Sequence, residues 1–507
     1  MASAERTSIL EERREVIAVE VGASEESGAG LTNRVHRQVI GLFLANILTI
    51  LVVGLSFIAY SKLLSPPEFG LYAVALSAAT LLALILDGGL KTTIIKLEAD
   101  LPQEEESSIA ILMVLVSLGL VLTLVAVAQP FLALRAEIKH DARFVVIFVG
   151  VALLFYPFVT LPTARLERGL KYGHIAWIES LSTVVERGGP ALFLLFTNAG
   201  IYSFVWGLLL SRVLRAAILS SFHPVKLRAG SWAGLSNSAT HLREGAWIQA
   251  GTISSVARDN LHTLLVGPLF GKEWVGYYAW ALQICLVSSQ IFAQISARVS
   301  LPLLAQAGNF EKRWPRCLYQ IRMLTMLTVP VLCGVWLILP TVNSHFFQGK
   351  WQPALALVPL LFLRMIPGMA TTPLGPLVMV HRGGPTFGVA NLVWTLLEVT
   401  GACIFAWALG PTGLAWSYAL VVWIGLWMLM ASLNRDTANL MKDLTREMVV
   451  RPSLIWAVFA TLALILAARA FQPPSAPWLI YVAAGFVILS SYLLEPELRG
   501  FLIHGEA

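Results

Sequence analysis

The stretch from Gly245 to Ile284, GAWIQAGTISSVARDNLHTLLVGPLFGKEWVGYYAWALQI, sets the frame for the whole chain. Two apolar runs flank a short break at Gly271 to Glu273, and the first run carries Arg258, Asp259 and His262 inside it. The opening of the second run has a counterpart 206 residues earlier, where Gly70, Leu71, Tyr72 and Ala73 match Gly276, Tyr277, Tyr278 and Ala279. Each copy follows a Leu-rich helix end and a loop with Pro, Phe, Gly and one Glu, LLSPPEFG in the first case and LVGPLFGKEWVG in the second. A unit laid out twice in the same order accounts for this spacing, and internal repeats of this kind build many transporter folds.

Composition decides which solvent the fold faces. Hydrophobic residues make up 57% of the 507, charged residues 13%, and the mean hydropathy is +0.73, whereas a soluble domain spends roughly a quarter of its residues on charge. About 20 helical residues cross a hydrocarbon core of about 30 Å. Runs of that order lie at 37–60, 71–90, 108–134, 143–161, 175–196, 200–221, 244–267, 274–296, 320–341, 352–380, 385–408, 411–433, 452–470 and 476–494. The expected fold is therefore an all-α polytopic membrane protein with about 14 transmembrane helices. The tenth run reads as broken by Pro367, Pro373 and Pro376. Residues 1–36 are polar and mixed in charge, a cytoplasmic tail with no apolar core ahead of a cleavage site.

Charge sets the expected orientation. With both termini in the cytoplasm, 26 of the 36 Lys and Arg fall on the cytoplasmic side and seven on the other, the bias that the positive-inside rule requires. The net charge of +6 thus reflects topology and calls for no nucleic-acid partner. The longest loops, 222–243, 297–319 and 434–451, are cytoplasmic and basic, so function is confined to the helix bundle and its mouths.

Motifs for chemistry are missing. Cys285, Cys317, Cys333 and Cys403 are scattered without metal-ligand spacing, and the nine histidines form no pair four residues apart with a glutamate between. No phosphate-binding glycine loop and no Gly-x-Ser-x-Gly occurs. The chain reads as a non-enzyme with no cofactor and no metal. What stands out is charge inside apolar helices, which is costly in hydrocarbon and turns inward, toward the bundle interior or water. Glu179, Thr183, Glu186 and Arg187 share a side of the fifth run at helical spacing, and Ser254, Ser255, Arg258, Asp259 and His262 share an arc of the seventh. Arg364 sits in the tenth; Asn391, Thr395 and Glu398 line one face of the eleventh; Asn46 and Asp87 add polar points early in the chain. Arg187, Arg258, Arg364 and His262 are candidates to line a cavity for a polar anionic substrate. Asp259, Glu186 and Glu398 are candidates either for coupling transport to a cation or for holding helices together.

Five stretches carry a resemblance to a known family: LLSPPEFGLYAVALSAATLLALILDGGL at 63–90, LPTARLERGLKYG at 161–173, ARDNLHTLLVGPLFGKEWVGYYAWALQI at 257–284, LPLLAQAGNFEKR at 301–313 and FFQGKWQPALALVPLLFLR at 346–364. In this order they resemble the oligosaccharide flippase branch, often called polysaccharide biosynthesis proteins, of the multidrug/oligosaccharidyl-lipid/polysaccharide exporter superfamily. The resemblance implies two six-helix lobes around a central cavity, residues 37–235 and 236–435, followed by a C-terminal helix pair at 436–507. It implies alternating access that moves a polyprenyl-diphosphate-linked oligosaccharide across the cytoplasmic membrane, with Na+ or H+ as coupling ion. It also implies contact with a polysaccharide polymerase and glycosyltransferases, and a monomer. The family's mid-helix Asp maps to Asp259. A cation-coupled multidrug exporter, a carrier of peptidoglycan or teichuronic-type precursors, and a membrane enzyme of polysaccharide assembly stay open as alternatives.

Overall fold

A computed structural model describes residues 48–87, 103–133, 149–168, 172–197, 200, 202–224, 235–433 and 437–450. The tail 1–36, Asn46, the side chain of Asp87, the loops around 88–102, 134–148 and 225–234, and the expected spans 452–470 and 476–494 lie outside them. Among the described residues the structure is helical, without strands.

The first part of the chain forms α1 (Leu48–Leu63), α2 (Pro66–Asp87), α3 (Gln103–Ala133), α4 (Pro157–Arg168), α5 (Tyr172–Thr183), α6 (Gly189–Phe196) and α7 (Tyr202–Phe222). The second forms α8 (Leu235–Phe270), α9 (Lys272–Gln306), α10 (Phe310–Phe346), α11 (Val358–Arg382), α12 (Gly384–Leu409) and α13 (Pro411–Ala431). Six of these helices are long and apolar enough to cross a membrane. Their outward faces carry stripes such as Leu55, Leu192, Leu210, Leu396 and Ile404, more than half exposed, an arrangement that suits lipid and not water.

Local signals place the helix ends. Ser65, Pro66 and Glu68 make a capping box at the start of α2: the Ser65 backbone N–H and hydroxyl donate to Glu68 Oε2 at 2.8 and 2.7 Å. Gly200 and Gly410 stand just before α7 and α13 with φ of 53° and 66°, a region open to glycine at little cost. Two sequence expectations change. The expected loop 297–319 shrinks to residues 307–309, because α9 and α10 continue to Gln306 and from Phe310 as charged helix ends. The prolines do not break the tenth run, since α11 passes through Pro367, Pro373 and Pro376 as one helix; the break falls earlier, between a short helix at Gln352–Leu355 and the start of α11. A proline's fixed φ suits a helix, and its lost hydrogen bond is tolerable where neighbouring protein re-satisfies the carbonyls.

The two copies of the repeated motif meet each other in the structure. Gly70 on α2 and Gly276 on α9 meet so closely that a Cβ on Gly276 would fall 1.8 Å from the Pro66 carbonyl oxygen, and one on Gly70 would fall 2.7 Å from the Gly276 nitrogen. Beside this crossing, the turn after α10 clasps the end of α1. The Trp351 indole donates to the Ser61 carbonyl at 2.9 Å, the Trp280 indole donates to the Ser61 hydroxyl at 2.8 Å, and the two indoles stack in parallel 5.1 Å apart. Lys350 Nζ donates to the carbonyls of Lys62 and Leu64, both at 2.9 Å. Burial in this turn pushes the Lys350 amine below the usual lysine pKa, with the nearby Glu68 carboxylate opposing the shift. Toward the far end of the bundle, Gln249 of α8 donates to the Leu84 carbonyl of α2 at 2.7 Å.

Candidate functional site

Charge collects in two places, one in each half. In the first half the path from α5 to α6 passes through a π turn, Val184–Gly188, a form often found at functional positions. The turn carries Glu186 and Arg187. Glu186 accepts from Ser211 at 3.2 Å and lies 3.6 Å from Arg212 on α7, and 3.7 Å from Arg187. Arg187 donates to the Tyr72 hydroxyl, and the Tyr60 hydroxyl donates to the Arg187 carbonyl. Glu179 pairs instead with Arg215 at 2.9 Å. The side shared by Glu179, Thr183, Glu186 and Arg187 in the sequence is thus divided by the extra residue of the turn. Beside this cluster lies a cleft of about 380 Å³, open mouth included, lined by Tyr72, Ala75, Leu76, Val149, Glu186, Phe204, Val205 and Leu208.

In the second half, α8 meets α11, α12 and α13 around one polar cluster. Arg258 is 4% exposed, and its guanidinium carbon lies 3.5 Å above the Trp394 ring, a cation–π contact. It donates to Asn391 at 3.2 Å and to Ser255 and Thr395 at 3.4 Å. The glycine at 425 on α13 makes room for the indole, since a Cβ there would fall 2.0 Å from it. Its charge is held between α8 and α12. Asp259, next in sequence, makes its hydrogen bonds elsewhere. It accepts from Arg364 at 2.7 Å and from the Tyr418 hydroxyl at 2.8 Å. The Asp259 side chain is 42% exposed and that of Arg364 11%. One turn further along α8, His262 Nε2 lies 2.9 Å from Glu398 Oε1, with both side chains almost fully buried.

Asn391, Thr395 and Glu398 do share a face, and that face meets α8. Reading polar residues against apolar runs did not single out Tyr72, Arg212, Trp394 and Tyr418. Three are aromatics that look like ordinary core in the sequence; only Tyr72, inside the repeated motif, carries a signal. No cluster of three His, Cys, Asp or Glu able to hold a metal occurs among the described residues.

A second internal correspondence appears once the clusters are laid side by side. Thr183, Glu186 and Gly189 recur at the same spacing as Thr395, Glu398 and Gly401. The helix that follows each set, α7 or α13, begins after a positive-φ glycine. The two carboxylates match in sequence spacing only, Glu186 lying in a π turn and Glu398 within α12, and their partners differ: Arg212 and Arg187 for Glu186, His262 for Glu398.

The family described as polysaccharide biosynthesis protein matches residues 60–356, more than half of the chain. The chain belongs to this family. Among polysaccharide biosynthesis proteins of known name, it is 22% identical over 408 residues to the lipopolysaccharide biosynthesis protein WzxC of Escherichia coli (strain K12), covering 76% of this chain and 78% of that one. It is 23% identical to the teichuronic acid biosynthesis protein TuaB of Bacillus subtilis (strain 168), over 68% of this chain and 71% of that one. Among solved structures, the lipid II flippase MurJ in an inward closed conformation shares the fold at a TM-score of 0.70, with 15% identity, over 91% of this chain and 99% of that one. An inward-facing multidrug resistance transporter of the MATE family, in the MOP superfamily, aligns at a TM-score of 0.57 with 18% identity, over 79% of this chain and 96% of that one. The chain is a multi-pass membrane protein of this fold. Arg187, Arg258, Asp259 and His262 fall inside the matched residues, while Arg364, Glu398 and Tyr418 lie beyond them.

Proposed function

We propose that the protein is a flippase that carries a lipid-linked oligosaccharide across the cytoplasmic membrane for assembly of a surface polysaccharide. Its halves, 37–235 and 236–435, rock about the Gly70–Gly276 joint. The observation that carries the reading is the pairing of that joint with a charged interior in each half, in a chain whose family makes polysaccharides. Of the three candidate arginines, Arg187 and Arg364 keep more of the side chain exposed than Arg258. They meet the diphosphate, for which planar, permanently charged donors are suited. Arg258 acts as a fixed strut between α8 and α12, and Asp259 holds Arg364 in place until substrate arrives. The orientation follows the charge bias, with both termini in the cytoplasm, so the Trp280–Trp351 clasp closes the outer mouth. No step of bond making is assigned, and the protein works as a monomer beside glycosyltransferases and a polymerase.

The test is deletion of the gene. One surface or secreted polysaccharide should disappear while lipid-linked repeat units accumulate on the cytoplasmic leaflet. Polysaccharide of normal amount and length, in a strain without a second copy, overturns the reading. Bond formation by the purified protein would favour an enzyme of polysaccharide assembly instead.

A further inference from the structure

A glycine inside a helix is less stable there than alanine, so one placed in mid-helix points to a close approach that a side chain would block. Gly368 stands near the middle of α11. A Cβ on it would fall 2.5 Å from Arg364 Nη1 and 3.7 Å from Arg364 Cζ, and no other side chain among the described residues comes within 4 Å of that place. One group alone fills the space over Gly368, the guanidinium borne one turn earlier on the same helix.

We propose that Gly368 is a positioning residue, whose missing side chain sets the Arg364 guanidinium against Tyr418 and Asp259 in a fixed orientation. The group is held from three directions. Nη1 rests over the bare Cα of Gly368, the guanidinium carbon lies 4.4 Å from the centre of the Tyr418 ring, and Nη2 donates to Asp259 Oδ1 at 2.7 Å. Tyr418 also steadies that carboxylate, because its hydroxyl donates to the same Oδ1 at 2.8 Å. The Arg364 side chain is 11% exposed and that of Asp259 42%, so an arriving anion reaches the guanidinium past Asp259. A guanidinium grips two oxygens of one anion through a planar fork. Tilted out of place, it keeps its charge and loses the second bond.

The obstruction at this position is of a particular kind. At Gly276 a methyl would meet the Pro66 main chain, whereas at Gly368 it meets the tip of a flexible side chain. A tip yields where a main chain does not. Gly368→Ala should therefore leave the helix and its packing intact while it moves the guanidinium off Asp259 and the Tyr418 ring. The side chain in Arg364→Lys ends short of the Nη1 position, the one atom that the methyl displaces, so the two substitutions act on the same contact. The part that Arg364 plays in transport rests on the flippase reading; the placement of its guanidinium by Gly368 does not.

The experiment is a double-mutant cycle of Gly368→Ala and Arg364→Lys in the full chain, read as polysaccharide exported per folded molecule. Gly368→Ala should fold as the wild type does and export about tenfold less, the worth of one charge-assisted hydrogen bond. Added to Arg364→Lys, it should cost nothing more. Wild-type export by Gly368→Ala overturns the proposal, and so does a further loss of similar size on top of Arg364→Lys. Should Gly368→Ala fail to fold, Arg364→Lys is expected to restore folding to it; failure in both backgrounds overturns the proposal as well. A second readout is independent of transport. With ¹⁵N-labelled arginine in lipid nanodiscs, the guanidinium signal missing from Arg364→Lys belongs to Arg364, and it should shift in Gly368→Ala and stay in place in Gly334→Ala, where a methyl meets open space. An unmoved signal in Gly368→Ala overturns the placement. A shifted signal in a protein whose deletion leaves every polysaccharide intact supports the placement and removes only the flippase reading.

Discussion

Arg258, proposed above as a strut, is the first residue to test. Removing its guanidinium leaves Asn391, Thr395 and Ser255 facing an apolar hole beside Trp394. Each buried polar group left unsatisfied costs roughly 1–3 kcal/mol. Arg258→Ala should therefore lower the melting temperature and the yield of folded protein, with export per folded molecule little changed; size-exclusion of a fluorescent fusion after heating measures the first, and polysaccharide per molecule the second. Arg364→Lys should do the reverse: near-normal folding, and export per molecule down by about tenfold, the worth of one charge-assisted hydrogen bond. If Arg258→Ala lost export per molecule while folding normally, the two arginines would have to exchange roles. The sequence located Arg258, Asp259, His262, Arg364 and Glu398, because a charge inside an apolar run is visible without coordinates. It could not pair them. Asp259 reaches a residue 105 positions away, and the π turn at Val184–Gly188 redirects Arg187 with no signature that periodicity detects.

Between elements, the glycine crossing and the aromatic clasp each permit a test. Gly276→Ala would drive a methyl into the Pro66 carbonyl, where main chain has little freedom to yield. It should abolish export and reduce folded protein, whereas Gly334→Ala on α10, with open space around it, should leave both intact or gain a few tenths of a kcal/mol in helix propensity. Loosening the clasp is a separate experiment. Ser61→Cys, buried beneath Trp280 and Trp351, should resist a membrane-impermeant thiol reagent applied outside cells, and should react several-fold faster when Lys350→Met is added. Equal labelling with and without Lys350→Met would deny the clasp its closing role. At this scale the helices were legible from apolar length and their limits were not. Hydropathy stops where charge begins, but α9 and α10 carry their charged ends on as helix.

For the molecule as a whole, the charge bias makes orientation testable. A reporter active only outside the cytoplasm should work when fused after Gly200, Gly271 or Gly410 and stay silent after Ser231 or Asn439. Activity after Ser231 would invert the scheme and put the Trp280–Trp351 clasp at the inner mouth. The membrane class was readable from composition. That the segments Gly70–Ala73 and Gly276–Ala279 touch each other was not, because a likeness in sequence says nothing about which faces meet.

The crossing of Gly70 and Gly276 has a mechanical consequence. Packed side chains resist being slid past one another, because interlocked interiors offer discrete arrangements with barriers between them. Here backbone bears on backbone with few side chains between, so in the proposed rocking motion the contact would act as a low-friction bearing. Tilting one half against the other is then resisted by whatever latches the ends of the molecule. The pace of the cycle belongs to those latches and to the cargo, and lubricating or stiffening the bearing itself has little to offer an engineer seeking a faster protein.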